Sequence, residues 1–291
     1  MLHGKQPSLC IPMLAACGWK SLRLRVNGGQ RREVAKSNKA KKRMSGASQT
    51  RPSAVVRLSN VELALAGTRI LSGLDLTLSE RRVGIVGRNG SGKSTLARVM
   101  TGLIAVDSGE VEVMGVDVAR DRKQAIRTIG ILFQNPDHQI IFPTVGEELA
   151  FGLRQQGRSK KEARALARAA LERFGRSEWE ERSIETLSQG QKHLVCLMAV
   201  LALEPAVIVL DEPFTGLDIP TTRSLQRYLD RLAPTLVHIT HDVSSLDGYE
   251  RVIWIEAGKV HRDGAAGEVL DEYLAAMTRE DTADAGFGLP D

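Results

Sequence analysis

Cysteine is scarce in this chain of 291 residues, and long apolar runs are lacking. The three cysteines form no metal-ligand spacing and no disulfide framework, which fits a reducing compartment; they are Cys10, Cys17 and Cys196. No segment reaches the roughly 20 apolar residues that a transmembrane helix needs. The nearest one, residues 194–203, ends at Glu204-Pro205 and is predicted to be a buried helix. We therefore expect any attachment to a membrane to run through a partner protein.

Acidic residues are almost absent from the first 51 positions, where 12 Lys and Arg accompany Glu33 alone. The rest of the chain carries a net charge of −6, so the total of +5 does not describe a basic folded domain, and no nucleic-acid partner is expected. Residues 1–52 are predicted to be a basic, disordered tail. The apolar run at residues 9–17 is too short for a secretion signal to be favoured. Met44 is an alternative start of translation, which intact-mass measurement would test.

The most informative segment is Gly87-Arg-Asn-Gly-Ser-Gly-Lys-Ser94, which has the Gly-x4-Gly-Lys-Ser spacing of a phosphate-binding P-loop. It follows a short apolar strand, residues 83–86, and precedes a helical segment, residues 94–102. Glycines let the backbone N–H groups turn toward a triphosphate, and the helix N-terminus adds positive charge. Lys93 is expected to reach the β- and γ-phosphates, and the Ser94 hydroxyl to ligate Mg²⁺. The alternative, a plain glycine-rich turn, is disfavoured because eight positions match in context. The predicted ATP-binding residues are Gly87, Arg88, Asn89, Gly90, Ser91, Gly92, Lys93, Ser94 and Thr95.

The hydrophobic pattern indicates buried strands that alternate with helices. Antiparallel strands are predicted at residues 55–65 and 68–78, further strands at 83–86, 129–133, 206–210 and 236–240, a strand and turn at 110–115, and a closing hairpin over 252–260. Helices are predicted from residue 160, over 194–203 and over 268–278. Such alternation predicts an α/β fold with a mostly parallel sheet covered on both faces. Since no internal repeat is present, we expect one nucleotide-binding unit per chain.

Two carboxylates follow an uncharged strand in Val207-Ile-Val-Leu-Asp-Glu212. Asp211 is expected to hold Mg²⁺, commonly through water, and Glu212 to polarise the attacking water. A pair of acids after a strand is also compatible with a solvated loop. The P-loop favours the functional interpretation, because its Mg²⁺ needs a nearby carboxylate.

The segment Leu187-Ser-Gln-Gly-Gln191 resembles the signature motif of ATP-binding cassette (ABC) ATPases, with Gln189 where glycine is commoner. Gln134, the aspartate loop Gly216-Leu-Asp218 and His241 stand around it in the family's order, and the resemblance covers residues 55–278. It implies a P-loop NTPase fold with a RecA-like, mostly parallel core, an antiparallel β subdomain and an α-helical subdomain at about 146–190. The nucleotide-binding domain would span residues 53–291.

The same resemblance implies roles for residues outside the P-loop. Ser188, Gln189, Gly190 and Gln191 would close on the γ-phosphate that a second subunit holds, so two ATP molecules would be sandwiched in a dimer. Asp218 would organise the facing P-loop, and His241 would contact the γ-phosphate. Gln134 would touch Mg²⁺ and sense the membrane partner. The family often stacks an aromatic residue on adenine from the first hairpin, but the neighbours of Leu65 and Ala66 offer none, so selectivity for ATP over GTP is left open.

The segment Phe133-Gln-Asn-Pro-Asp-His-Gln139 resembles the ATPases of energy-coupling-factor (ECF) transporters, which take up vitamins or cobalt and nickel ions. This implies an integral-membrane coupling protein and a substrate-binding membrane subunit as partners, at the cytoplasmic face of the inner membrane. Biotin is the favoured substrate, and cobalt or nickel the alternative. A homodimer and a heterodimer with a related ATPase are both compatible. Phe142 is a candidate for docking to the coupling protein, with internal packing as the equal alternative.

Competing classes fit the sequence less well. A chromosome-maintenance ATPase would insert a long coiled coil between P-loop and signature, but only 100 positions separate Gly87 from Leu187. Translation-factor relatives carry two cassettes per chain, and a switch GTPase needs an Asn-Lys-x-Asp motif that is not found. A non-hydrolysing regulatory cassette is disfavoured because every catalytic position is filled.

Overall fold

The computed structural model describes residues 56–283; the predicted tail with Cys10, Cys17 and Met44 lies outside them. Strands and helices follow one another in that range as β1 Val56–Leu65, β2 Thr68–Leu78, β3 Arg82–Val86, α1 Lys93–Met100, β4 Ser108–Val113, β5 Val116–Asp117, α2 Arg122–Thr128, β6 Ile129–Leu132, α3 Val145–Gln155, α4 Lys160–Arg173, α5 Gln189–Ala202, β7 Val207–Asp211, α6 Ile219–Asp230, β8 Thr235–Ile239, β9 Arg251–Glu256, β10 Lys259–Ala265 and α7 Ala266–Ala283. None of the helices within residues 56–283 combines the length and the hydropathy that crossing a bilayer requires.

A six-stranded sheet in the order β10-β9-β3-β8-β7-β6 forms the centre of the molecule. Its strands are parallel except for β10, which pairs antiparallel with β9. The prediction of a mostly parallel sheet is therefore confirmed. Because β3, β6, β7 and β8 run in one direction, the segments after them meet at one edge of the sheet. The P-loop, Gln134, the acidic pair and His241 all follow these strands.

The two faces of the central sheet are covered by different layers, as its buried parallel strands require. On β7, Val207 and Val209 point into a hydrophobic cluster that contains helix α1 and the antiparallel sheet β2-β1-β4-β5. Ile208 and Leu210 alternate to the opposite face and pack against α5 and α6. Strands β3, β6, β7 and β8 are thus buried on both sides, whereas the edge strand β10 is largely exposed.

Helices α3, α4 and α5 share a separate hydrophobic cluster, whose buried members include Leu149, Leu171 and Val195. Two exposed arginines of α4, Arg164 and Arg168, form ion pairs with the chain itself. Glu180 accepts hydrogen bonds from Arg164 Nε at 2.8 Å and from Arg168 Nε at 2.6 Å. These ion pairs attach the outer face of α4 to the segment that leads toward α5.

The structure differs from the predicted helices in two respects: one helix starts earlier, and further helices are present. Helix α5 begins at Gln189, five residues before the apolar run that indicated it, because Ser188 and Gln191 form a capping box there. Helices α2, α3 and α6 were not predicted from the hydrophobic pattern, although the family resemblance implied a helical subdomain where α3 lies, and α6 shows why the pattern fails. Of its 12 residues only Leu225 and Leu229 are buried, so its apolar stripe is too thin to stand out.

A buried arginine closes the C-terminal end of α6. The Arg82 guanidinium donates five hydrogen bonds of 2.7–3.0 Å to backbone carbonyls, those of Arg81, Leu229, Asp230, Leu232 and Pro234. Burial lowers the pKa of Arg82. The carbonyls of Arg81, Leu229 and Leu232 also accept bonds from other groups, whereas those of Asp230, the last residue of α6, and Pro234 have no other donor among the described residues, so the guanidinium satisfies them.

We expect Arg82→Met to lower the free energy of unfolding by about 3 kcal/mol, because it leaves the carbonyls of Asp230 and Pro234 without a donor. Arg81→Met is the matched control, since the exposed Arg81 side chain donates one bond of 2.9 Å to Leu232. Its loss is expected to cost less than about 1 kcal/mol. Urea unfolding followed by circular dichroism measures both, and equal midpoints for the two variants would contradict this account of Arg82.

Candidate nucleotide-binding and catalytic site

The P-loop connects β3 to α1 through backbone conformations that favour glycine. Gly87, Gly90 and Gly92 have φ angles of +152°, +80° and +104°. A Cβ atom on Gly87 would lie 2.2 Å from the carbonyl oxygen of Ile255 on β9. Only glycine permits this approach, so the loop is fixed against the sheet at its first residue.

Helix α1 begins without a side-chain cap, because Gly92 occupies its N-cap position and no acidic residue lies in its first turn. The five helices that follow each start with a side chain that accepts a backbone N–H: Asp121, Thr144, Ser159, Ser188 and Asp218. The first N–H groups of α1 are therefore available to an anion. This arrangement fits the phosphates of a nucleotide.

Lys93 adds a buried positive charge beside the P-loop. Its Nζ donates to the carbonyls of Gly87 at 2.7 Å and Arg88 at 2.8 Å. Burial lowers the pKa of Lys93, while the negative charges of Glu212, Asp211 and Glu256 act in the opposite direction. The buried Ser91 hydroxyl has no hydrogen-bond partner within the described part of the chain. Both groups can donate to phosphate oxygens.

Asp211 ends β7 and has one oxygen available for a cation. Its carboxylate accepts a hydrogen bond from Ser94, whereas its Oδ1 is buried without a partner among residues 56–283. Burial raises the pKa of Asp211, the Ser94 bond lowers it, and the charge of Glu212 raises it further. A hydroxyl and a carboxylate oxygen are ligands that Mg²⁺ prefers. The donor set therefore fits Mg²⁺, with Ser94 and Asp211 as its holders.

Glu212 and His241 lie side by side where β7 and β8 end. The backbone N–H of Glu212, a residue with φ of +53°, donates to the carbonyl of Ile239 at 2.9 Å. The Glu212 carboxylate accepts hydrogen bonds from the backbone N–H of His241 at 3.0 Å and from the Thr240 hydroxyl at 3.2 Å. It also lies 2.8 Å from His241 Nδ1. Because a carboxylate only accepts, Nδ1 carries the proton, and the exposed ring presents Nε2 outward. A fixed, nearly buried carboxylate of this kind can accept a proton from water.

Gln134 is placed at the same edge of the sheet, two residues after the end of β6. Its side chain is exposed. Strand β6 pairs with β7 in parallel register, with Leu132 opposite Leu210, so Gln134 follows the strand next to the acidic pair. No contact between Gln134 and Asp211 is observed among the described hydrogen bonds.

The signature residues form the first turn of α5. Ser188 Oγ accepts the N–H of Gln191 at 3.3 Å, and Gln191 Oε1 accepts the N–H of Ser188 at 3.1 Å. A Cβ atom on Gly190 would lie 2.5 Å from the carbonyl oxygen of Gly216. The start of α5 therefore touches the aspartate loop, which the sequence did not indicate.

Asp218 caps a helix of its own chain. Its Oδ1 accepts the N–H of Thr221 at 2.7 Å at the start of α6, and the Thr221 bonds hold the pKa of Asp218 below its usual range. The structure thus gives Asp218 a local stabilising role. Its contact with a facing P-loop stays a prediction.

Two buried histidines near the site were missed by the sequence reasoning. His193 on α5 bonds to the backbone carbonyl of Pro213, and burial lowers its pKa to about 4. His238 Nδ1 lies 3.0 Å from the Tyr249 hydroxyl, and its ring packs edge-on to Phe214 at 5.4 Å. No spacing in the sequence signals these contacts, because each joins segments that are distant along the chain.

Comparison with known proteins identifies the class and then the family. The fold and the loop at Gly87–Ser94 define a P-loop NTPase, and residues 71–215 match the family described as ABC transporter. The biotin transport ATP-binding protein BioM of Rhodobacter capsulatus is 51% identical over 222 residues, 76% of this chain and 95% of that relative. The chain therefore belongs to the ABC transporter ATP-binding proteins, and it is an ATPase of that family.

Two further likenesses agree with this assignment. The energy-coupling factor transporter ATP-binding protein EcfA of Methanosphaera stadtmanae is 36% identical over 214 residues, 71% of this chain and 77% of that relative. The dimeric ATP-binding cassette MJ0796, solved in a post-hydrolysis state with ADP and phosphate, superposes with a TM-score of 0.64 at 27% identity. That likeness covers 72% of this chain and 98% of the other. The predicted fold class and the resemblance to ECF ATPases are confirmed.

Proposed function

We propose that this chain is the ATP-hydrolysing subunit of an ECF-type importer that powers uptake of biotin through a transmembrane partner. The relative that is 51% identical is named a biotin transport ATP-binding protein. The observation that carries the catalytic part is the Glu212–His241 pair, 2.8 Å apart beside the P-loop. The proposed location is the cytoplasmic face of the inner membrane, where the chain is bound peripherally.

Hydrolysis would use groups that the fold already places together. The N-terminus of α1 and Lys93 bind the phosphates and balance their charge. Glu212 accepts a proton from water as the water oxygen bonds to the γ-phosphorus, and the bond to the β–γ bridging oxygen breaks to give ADP and phosphate. We propose that His241 contacts the γ-phosphate through Nε2, which donates a hydrogen bond there when both ring nitrogens carry a proton. Mg²⁺, held by Ser94 and Asp211 with Gln134 at the same edge, would neutralise charge on the phosphate oxygens.

Dimerisation would complete each site. Ser188, Gln189, Gly190 and Gln191 form a helix N-terminus, which suits an anion but has no phosphate-binding loop of its own. We propose that this turn closes on the γ-phosphate bound by a second subunit, with Asp218 facing that subunit's P-loop. The dimeric state of the solved cassette with the same fold supports this arrangement. ATP would favour the closed dimer because its γ-phosphate bridges both subunits, and hydrolysis would remove that bridge.

Docking to the membrane coupling protein would involve the segment after Gln134. Ile141 is 47% exposed, which is unusual for so large an apolar residue. Phe142 is half-buried and packs on Phe151 of α3, with ring centroids 4.8 Å apart. Phe142 therefore takes part in internal packing, and Ile141 is the better placed of the two for a partner.

Pull-down of the membrane component tests this docking surface. Ile141→Ser is expected to weaken association at least tenfold without a change in thermal stability, because it removes exposed apolar surface only. Phe142→Ala is expected to weaken association and also to lower stability, because it leaves Phe151 unpacked. Unchanged association for both variants, with ATP binding intact, would remove this surface from the proposal.

Uptake of labelled biotin by membranes that contain this chain and its membrane partners tests the substrate. The expected result is uptake that needs ATP and stops with Lys93→Met. Uptake of cobalt or nickel ions with no biotin uptake would overturn the assignment of biotin while keeping the importer ATPase.

A further inference from the structure

The segment of residues 135–142, which follows Gln134, is bonded mainly to the helices and, through Gln139, to the end of the central sheet. Asp137 joins it to the first turn of α5. Asp137 Oδ2 accepts from Gln189 Nε2 at 2.8 Å, and Asp137 Oδ1 accepts from Lys192 Nζ at 2.8 Å. We call these three residues the Asp137 bridge. Bonds to both oxygens of one carboxylate fix its orientation as well as its position.

Two more contacts attach the same segment to α5 and α3. The buried Cys196 thiol of α5 lies 3.9 Å from the carbonyl oxygen of Pro136. Glu148 of α3 is buried, and its Oε2 accepts the N–H groups of Ile141 and Phe142, both at 2.9 Å. The segment is therefore bonded near both of its ends to the helical layer.

Fewer side chains bond this segment to the central sheet than to the helices. The connection to the sheet runs through one side chain: Gln139 Oε1 accepts the N–H of Phe133 at 3.2 Å, just past the end of β6, and Gln139 Nε2 donates to the carbonyl of Ile131 within β6 at 3.5 Å. A displacement of the 135–142 segment relative to the sheet would therefore bend the chain near Phe133 and Gln134. The helical layer would be carried along with the segment, because most of the segment's side-chain bonds go there.

The turn that receives the Asp137 bridge is the signature turn itself. Gln189 lies inside Ser188–Gln191, and Lys192 follows at once. On its other side the turn meets the aspartate loop, since Gly190 packs against the Gly216 carbonyl. Any change in the orientation of this turn would move the groups that face a second subunit's nucleotide.

We propose that Asp137 is a positioning residue that transmits the position of the membrane partner to the signature turn through Gln189 and Lys192. This inference rests on the proposed function, because it needs a partner docked on residues 135–142. A glycine at position 189 would offer no side-chain donor, so the amide of Gln189 gives this chain a contact that a glycine signature lacks. The proposed path consists of three side chains joined by two hydrogen bonds of 2.8 Å.

The test uses the whole transporter in proteoliposomes, with ATPase rate and biotin uptake measured on the same preparation. For Asp137→Ala we expect biotin imported per ATP hydrolysed to fall at least fivefold, with the KM for ATP within twofold of wild type. Lys192→Arg, which keeps a cationic donor for the carboxylate, is expected to retain most of the coupling. Glu181→Ala is the matched control, because Glu181 is an exposed carboxylate of the same helical layer that pairs with Arg164. For Glu181→Ala, the amount of biotin imported per ATP hydrolysed is expected to equal that of wild type.

Hydrogen exchange on the isolated chain separates this inference from the proposed function. In Asp137→Ala we expect the amides of residues 189–193 to exchange at least threefold faster, while those of β7 are unchanged. Exchange equal to wild type, or an unchanged import ratio, would overturn the role of Asp137. Wild-type proteoliposomes that hydrolyse ATP but import no biotin would instead refute the proposed substrate, with the exchange result still deciding on the bridge.

Discussion

Glu212→Gln is expected to lower kcat for ATP hydrolysis by about 10² to 10⁴-fold and to leave ATP binding intact. The amide keeps the shape of the carboxylate and an oxygen that can accept the His241 N–H, seen at 3.0 Å. It cannot take a proton from water, so the loss falls on the chemical step. Steady-state phosphate release gives kcat, and equilibrium titration with ATP gives the affinity.

Glu256→Gln is the matched control for this prediction. The negative charge of Glu256, like that of Glu212, raises the pKa of Lys93. Glu256, however, accepts a hydrogen bond from Trp254 Nε1 at 3.1 Å and has no observed bond to His241. Its replacement is expected to change kcat less than tenfold. A wild-type kcat for Glu212→Gln would refute Glu212 as the general base. Equal losses of kcat in Glu212→Gln and Glu256→Gln would indicate that the negative charge of these carboxylates matters, rather than proton transfer to Glu212.

Gly87→Ala is expected to weaken ATP binding by on the order of 10²-fold, because a shift of about 1 Å in binding groups costs that much. The added Cβ would lie 2.2 Å from the Ile255 carbonyl oxygen and 2.8 Å from Ser91 Oγ. Strand β9 cannot retreat, since it pairs with both β3 and β10. The P-loop must therefore move, and the phosphate-binding N–H groups move with it.

Gly67→Ala in the turn between β1 and β2 separates this clash from backbone strain. Gly67 has φ of +81°, and a Cβ there would meet no atom within 4 Å. We expect a stability loss of about 1 kcal/mol from the left-handed conformation and no loss of ATP affinity. Titration with a fluorescent ATP analogue measures both variants, and wild-type affinity for Gly87→Ala would contradict the close approach described here.

The sequence predicted those parts of the fold that local patterns determine. Strands β1 and β2 match their predicted bounds within one residue, because alternating burial and the turn at Ala66-Gly67 are both local signals. The P-loop was predicted in full, since strand, loop and helix are contiguous there. The helix at residues 194–203 was predicted from its apolar run, but its start at Gln189 was not, because the first turn is polar.

The contacts that shape the site from a distance could not be predicted. Gly190 meets Gly216, and Glu212 is fixed by residues after β8, but each pair is separated by more than 20 residues. The Asp137 bridge spans 52 and 55 residues. Such contacts depend on how helices and strands pack, and one sequence contains no periodicity that reports them.

The central claim is that two copies of this chain, or this chain and a related ATPase, complete each other's nucleotide sites. Light scattering of Glu212→Gln with ATP and Mg²⁺ tests it most directly, because hydrolysis is then blocked and the closed state accumulates. The account predicts a mass of about twice 31.8 kDa with ATP and about 31.8 kDa with ADP. A chain that binds ATP yet stays monomeric, alone and when mixed with a related ATPase, would contradict it.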